Sequence, residues 1–431
     1  MSSRLAGAWM RAAWTAAVAV AGAACAASQP FARGEKALRG AERRGEWIWR
    51  RQAGSAWLWI HAASYGETEI GLALASALAP HLGGASVVMT ATTATGRARA
   101  TANQSVEAHY FPLDYAPYLN RILEAGAPRA LVIVETEIWP ETLRILARRG
   151  VPVAVANARI SERSFPRYRR LAPLVGPLLD GVAKICARDD EAAGRWKALG
   201  ARESAVEVTG NIKFDLALPA DASALSPLLV RDSARPVFLA ASTHDGEEQL
   251  ALDAFHMLRG QVPGARLIVA PRHPERAADV AALARTRSSG VFQWSDCQGR
   301  ADAGGADIVV LDRLGLLRAA YAGADACFVG GSITAGPGGH NLLEPVVAGC
   351  PVATGPLISN VEDQAAMLRA AGALRIVRNV EELAKFWTEA AEKSEDMRQR
   401  LAAATRILRE ARGALARTVT ALAPVLEGRR R

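Results

Sequence analysis

Short runs that are apolar at every position alternate along this chain with longer stretches in which apolar residues recur at helical spacing. From Trp57 to about Thr209 the runs are WLWIHA, SVVMTAT, ALVIVET, VPVAVAN, VAKICA and VEVTG, separated by amphipathic text such as ETLRILARRG and DDEAAGRWKALG. A run with no polar alternation predicts a strand buried on both faces. Such strands alternating with helices predict a parallel sheet covered by helices on both sides. DLALPADASALSPLLVRDSARP breaks the rhythm. Rich in Pro, Ala and Ser, it reads as a connection between domains. A second series follows: PVFLAAS, ARLIVAP, GVFQW, DIVVLD, DACFVGG, CPVAT and LRIV. After Asn379 the pattern is helical nearly to the closing EGRRR.

The expected organisation is therefore a segment 1–32, an N-terminal domain 33–212, a linker 213–235, a second domain 236–395, and C-terminal helices 396–431 that have the option of packing back on the first domain. A length of 431 residues agrees with two domains. One unit occurs twice. The apolar run WLWI meets HAAS, then Gly66-Glu67 and a helical pattern; the run VFLA meets AST, then Gly246-Glu247 and a helical pattern.

Four constellations fit strand ends of such sheets, where doubly wound folds bind ligands. In Ser64-x-Gly66-Glu67 the glycine permits a tight turn, and a carboxylate beside a helix start can take a proton from a bound hydroxyl. The plainer alternative is an acid favoured by the helix dipole. Glu135 and Glu137 follow the strand VIV and suit holding sugar hydroxyls or tuning a neighbouring carboxylate; solvated loop acids are the alternative. Arg272, after RLIVA, suits a phosphate or carboxylate, whereas His273 reads equally as structural.

The fourth constellation is FVGGSITAGPGGHNLLEPVVAGCPVATGP. It joins a strand end at Gly330-Gly331-Ser332 to a glycine loop, Gly336 to Gly339, and a helix opening near His340. Glycine amides and a helix start favour an anion, and Glu344 suits a ribose diol. No Walker lysine follows, and the spacing misses the dinucleotide fingerprint, so a nucleotide-sugar donor is the better match.

Composition adds limits. Half the residues are hydrophobic and 22% are charged, which excludes global disorder. The net charge of +9 favours anionic partners, although an arginine-rich genome gives the same balance. The five cysteines (Cys25, Cys186, Cys297, Cys327 and Cys350) contain no C-x-x-C pair, and the histidines contain no H-E-x-x-H spacing. A zinc site or disulfide framework is not expected. Ala12 to Ala32 carries no charge, and Arg33, Lys36, Arg39, Arg43, Arg44, Arg50 and Arg51 follow. A cleaved signal, a membrane anchor and a buried helix all fit the apolar stretch. The basic flank favours the anchor, with the body on the cytoplasmic side.

In order along nearly the whole chain, HAASYGE, TATTATG, YFPLDY, ETEIWP, NARIS, TGNIKFD, ASTHDGEE, APRHPER, FVGGS and GGHNLLEPVVAGCPV resemble the lipid A 3-deoxy-D-manno-octulosonic acid (Kdo) transferase family. The resemblance implies a GT-B glycosyltransferase: α/β, with two Rossmann-like doubly wound domains facing across a cleft and an N-terminal hydrophobic anchor. It implies inverting transfer of Kdo from CMP-β-Kdo to a lipid A precursor, lipid IVA, in lipopolysaccharide core biosynthesis. The implied place is the cytoplasmic face of the inner membrane, among anionic lipids, with no cofactor, metal or nucleic acid.

Carried over by position, Glu67 matches the general base, while Pro271-Arg272 and Asn341-Leu342-Leu343-Glu344 match CMP contacts. A third contact block falls at Leu314-Gly315-Leu316, where the family usually has Glu in place of Leu316. The loop before GGHN also lacks the family's usual Arg. Ser64, Gly66, Glu135, Glu137, Lys213, Gly338, Gly339 and His340 are further candidates, with Lys213 suited to the donor's carboxylate or phosphate. The alternatives are another GT-B enzyme of nucleotide sugars (a UDP-sugar lipid glycosyltransferase or an epimerase) and a degenerate, non-catalytic glycolipid-binding protein.

Overall fold

The computed structural model describes residues 13, 14, 16, 34–51, 54–162, 164–216, 235–297, 306–313, 315–334 and 337–427. The chain divides into two compact units, Met1–Leu216 with Ala411–Arg431, and Ala217–Glu410. Each unit is built on a seven-stranded sheet, and every strand pair is parallel.

The first sheet contains β1 (Trp57–His61), β2 (Ser86–Ala91), β3 (Glu107–Tyr110), β4 (Leu131–Val134), β5 (Val153–Ala158), β6 (Lys184–Ala187) and β7 (Val206–Val208), in the order β3-β2-β1-β4-β5-β6-β7. The second contains β8 (Val237–Thr243), β9 (Arg266–Pro271), β10 (Val291–Gln293), β11 (Ile308–Val310), β12 (Ala326–Val329), β13 (Val352–Thr354) and β14 (Leu374–Ile376), in the order β10-β11-β9-β8-β12-β13-β14. The winding direction reverses between β1 and β4, and again between β8 and β12. The carboxyl ends of those two pairs are the switch points of their sheets.

The apolar runs form strands because each feeds two cores. Trp57 and Trp59 pack with Leu131, Ile133 and Val153 on one face of the first sheet. Leu58 and Ile60 pack with Ile70, Leu74 and Val132 on the other. Burying one such side chain contributes about 1.5–3 kcal/mol.

β3 is the strand that the apolar pattern misses. It lies at the sheet edge, and its Glu107 and His109 are buried in a polar network. His109 Nε2 is 2.9 Å from Glu107, and its Nδ1 is 3.4 Å from Glu42. Glu42, on the helix Glu35–Arg43, also accepts from Tyr110 N at 2.7 Å and is clasped by Arg97. A buried ionic network, with His109 stacked on Trp47, fills that face, so the hydrophobic signal is absent.

The last helix, Ala414–Glu427, belongs to the first unit. Leu422 and Leu426 join the core of Leu58 and Ile60. Asp215 accepts from the amides of Gly413 and Leu415, both at 2.6 Å. Lys213–Leu216 is a short helix of the first unit, and the rest of the expected linker up to residue 234 lies outside the described residues.

Most of segment 1–32, and with it the expected anchor, also lies outside the described residues. Its Trp14 donates a hydrogen bond of 3.0 Å to buried Asp114. Among the described residues no helix is long and apolar enough to cross a membrane.

Candidate active site

In the first unit, Glu67 occupies the third position of the helix Tyr65–Leu78, which starts directly beyond β1. Ser64 caps that helix by accepting from Glu67 N. The carboxylate folds back to accept from Ala63 N at 2.8 Å and Ser64 Oγ at 3.0 Å. The turn is held from the β2 side, where the amides of Thr92 and Thr93 both donate to Ala63 O at 3.0 Å. Gly96 makes this approach possible, because a Cβ there would lie 3.1 Å from the Ser64 carbonyl carbon and from Thr68 Oγ1.

Glu135 follows β4 across the switch point and carries a positive φ of 65°, rare for a residue with a side chain. Lys213 Nζ is 2.8 Å from Glu135 Oε1, and Arg159 Nε is 3.8 Å from Oε2. Asn157, also at positive φ, sets this lysine in place. Its Oδ1 accepts from Ile212 N at 2.9 Å, next to Lys213. Glu137 Oε2 is 3.7 Å from His61 Nε2. His61 Nδ1 is 3.1 Å from Thr90 Oγ1 and 3.2 Å from the Thr90 carbonyl oxygen, which can only accept.

Burial first, then the charges of Glu135 and Glu137, push the Glu67 carboxyl up to about 7, against the amide of Ala63 and the hydroxyl of Ser64. A carboxylate with that value is suited to taking a proton near neutral pH.

In the second unit a register shift between Ala241 and Thr243 bends the end of β8, where Ser242 has a φ of 52°. The bulge brings Thr243 opposite Pro271, and Arg272 N donates to Thr243 O at 3.0 Å. Arg272 thus stands beside His244. Its guanidinium has no hydrogen-bond or ion-pair partner among the described residues. Arg276 differs: it is held by Glu248 at 2.6 Å and Asp245 at 3.1 Å.

His244 Nε2 is 2.9 Å from His340 Nε2, with the two rings nearly parallel at 7°. Gly331, at a φ of +69°, admits the His340 ring; a Cβ there would lie 2.8 Å from it.

The turn after β12 departs from the expected open anion cradle. The buried carboxylate of Glu247 already takes the amides of His244, Gly331, Ser332 and Ile333 at 2.7–2.9 Å. The helix expected from His340 onward spans only Leu343–Val347. Gly339 N donates to Gly331 O at 2.6 Å, and Gly338 O accepts from Asn360 N at 2.9 Å. Asn341 accepts from Leu343 N at 2.9 Å and donates to Glu344 at 3.2 Å. Leu342 and Leu343 are buried, as is Pro271. Asn341 and Glu344 are the partly exposed positions of this run.

The structure groups Ser64, Glu67, Glu135, Glu137 and Lys213 in the first unit, whereas Gly66 is an ordinary helical position where a Cβ would meet open space, so the tight turn expected of it is not made there. Lys213, expected to reach a donor anion, points instead at Glu135. In the second unit, Arg272 and His340 lie together. Gly315, at a φ of +91°, and Leu316 precede the helix Leu317–Gly323, which packs on the helix carrying Glu344. Leu314 lies outside the described residues.

Sequence reasoning did not single out His61, Asn157 or His244. Their partners are 29 to 96 residues away, at distances no local spacing encodes. For His244 a signal exists in its place within ASTHDGEE, just past a strand. Among the described residues no group of three or more His, Cys, Asp or Glu side chains is arranged to hold a metal.

Residues 38–216 match the family model described as 3-deoxy-D-manno-octulosonic-acid transferase (kdotransferase). The chain is 34% identical to 3-deoxy-D-manno-octulosonic acid transferase of Haemophilus influenzae over 380 residues, which cover 86% of this chain and 87% of that one. It is 33% identical to the Bordetella pertussis protein of the same name over 362 residues, covering 76% and 83%. A crystal structure of a glycosyltransferase from Rickettsia africae ESF-5 matches 87% of this chain and 98% of its own, at a TM-score of 0.53 and 12% identity. That likeness reports the fold, two parallel-sheet α/β units of the GT-B kind.

Proposed function

The chain belongs to the 3-deoxy-D-manno-octulosonic acid (Kdo) transferase family, and on that premise we propose that its two strand-end clusters divide one reaction, transfer of Kdo from CMP-β-Kdo to a hydroxyl of a lipid A precursor. Glu67 is the general base. It takes the proton of the acceptor hydroxyl while that oxygen attacks the anomeric carbon and the bond to the CMP phosphate breaks. Attack opposite the leaving group inverts the anomeric centre. Arg272 balances the phosphate charge that grows on CMP as it leaves. Asn341 and Glu344 are the polar groups that hold the nucleotide, alongside the backbone of Leu342 and Leu343, Pro271, and the Gly315-Leu316 turn.

The observation that carries this reading is the Glu67 carboxyl, pushed up to about 7 at the switch point of the first sheet. A general base contributes typically about 10²–10⁴-fold to rate. Replacing Glu67 by Gln should therefore remove transfer by that order and leave CMP affinity unchanged. Near-normal turnover by the variant would refute the assignment. Competition by CMP and not by UDP separates this activity from that of other GT-B enzymes.

We propose the cytoplasmic face of the inner membrane as the place of the reaction. Lys36, Arg39 and Arg50 are exposed, and so is Ile48, whose 80% exposure is unusual for isoleucine. Exposed basic and apolar groups in one segment suit an anionic lipid surface. Deleting residues 1–30 should lower vesicle binding and the rate on membrane-embedded acceptor. Unchanged binding would remove the anchor from this reading.

A further inference from the structure

The contact between His244 and His340 restricts their protons. At 2.9 Å between the two Nε2 atoms, one ring donates its N–H and the other offers a lone pair. The neutral pair therefore has a free Nδ1 lone pair on the donating ring and an Nδ1–H on the accepting ring. It has room for one added proton, at that free Nδ1. A second would place hydrogens on both facing nitrogens and break the contact.

The charged groups around the pair are unevenly committed. Glu247 is saturated by four backbone amides. Glu248 is held by Arg276 and Thr243. His273, whose ring centre is 5.9 Å from that of His244, faces Glu275 at 3.6 Å. The charges of Glu247 and Glu248 still favour a proton on the pair, but burial outweighs them, and Arg272 adds a positive charge. Burial, then neighbouring His244 and Arg272, bring His340 down to about 4. Burial, with His273 and Arg272, lowers His244 as well, against the charges of Glu247 and Glu248.

We infer that Arg272 and the His244–His340 pair form a single anion site, and that a donor anion settling there brings one proton from solvent onto the free Nδ1 of the pair. The anion provides a further counter-charge, one not already held by amides or by Arg276. The pair then carries one positive charge, presents N–H on both Nδ1 atoms, and returns the proton when product leaves. The ligand chemistry is an anionic oxygen, supplied either by the CMP phosphate or by the carboxylate of the sugar acid. This inference rests on the donor assignment above.

The test is titration calorimetry of the full-length protein with CMP and with CMP-Kdo, at pH 7.5 and 8.5, in buffers of different ionisation enthalpy. Uptake approaching one proton is expected, with affinity falling toward tenfold per pH unit. Uptake with CMP alone assigns the site to phosphate. Uptake only with CMP-Kdo assigns it to the sugar carboxylate. His340→Gln and His244→Gln should each abolish uptake and flatten the pH dependence.

CMP or donor binding without proton uptake overturns the inference and leaves the functional reading intact. So does uptake that persists in both folded variants, because the proton then sits on the ligand. Absence of any CMP or CMP-Kdo binding removes the functional reading, and this inference with it. The wild-type measurement decides even if a variant does not fold.

Discussion

Lys213 Nζ stands 2.8 Å from Glu135 Oε1, so the residue at the last helix before the connection to the second unit balances a charge that bears on Glu67. The two substitutions at this contact should act oppositely. Glu135→Gln removes a charge that pushes the Glu67 carboxyl up. The acid limb of the kcat/KM profile should move to lower pH, by roughly one unit. Lys213→Met leaves the charge of Glu135 unbalanced and should move the limb upward. Identical limbs in both variants and the parent protein would mean that Glu135 does not tune the base.

Glu67 should also cost stability at the pH where it works. Its folded value, about 7, lies above its unfolded value near 4.5. Between those values the unfolded chain gives up the proton first, so stability falls as pH rises from about 4.5 to 7 and is level above. Glu67→Gln has no such titration. Its stability relative to the parent should rise across that window, by about 1–3 kcal/mol after allowance for partial exposure. Urea unfolding at pH 5 and pH 8 checks the sign; an equal difference at both would exclude the raised carboxyl.

Arg272→Ala should raise donor KM by roughly 10–150-fold and leave acceptor KM unchanged, from loss of a charge-assisted contact to phosphate or carboxylate. Because the guanidinium has no partner among the described residues, the folded structure should lose little. Initial rates with each substrate varied in turn, together with a melting curve, test both halves. Unchanged donor KM at normal turnover would move the donor away from this strand end.

Glu247→Ala should destabilise the second unit by about 3–5 kcal/mol. It strips a charged acceptor from four amides, leaving those of the β12 turn in the buried interior. Glu247→Gln keeps one acceptor oxygen and should lose about half as much. If both variants melt with the parent protein, the β12 turn does not depend on this carboxylate.

The sheets were legible because their strands are buried on both faces, which writes an unbroken apolar run into the text. β3 was illegible for the opposite reason: its residues Glu107 and His109 are themselves polar, and are buried in ion pairs with His109 stacked on Trp47. The doubling was visible too, but not what each copy does with its carboxylate. Gly66-Glu67 and Gly246-Glu247 look alike in sequence. Glu247 meets the amides of the opposite strand end and is tied down by them, whereas Glu67 is made basic by burial first and then by the charge of Glu135. That contrast depends on a partner far away in the chain. The glycine turn misled in the same way, since spacing reveals amides available to an anion and not that Glu247 already holds them.

The clasp of Asp215 on Gly413 and Leu415 lies where the chain leaves the first unit and where it comes back. The second unit is thus a guest inserted in a host, and this fixes an order of synthesis. Residues 217–410 emerge from the ribosome as one contiguous stretch and can fold as they appear. The host, although begun first, must wait. Its core around Leu58 and Ile60 is closed by Leu422 and Leu426, which are made only after the whole of the second unit. Until then the apolar face of β1 lies open, and Glu67 stands on a sheet not yet sealed. A nascent chain stalled before residue 414 should hold a protease-resistant guest and a digestible host.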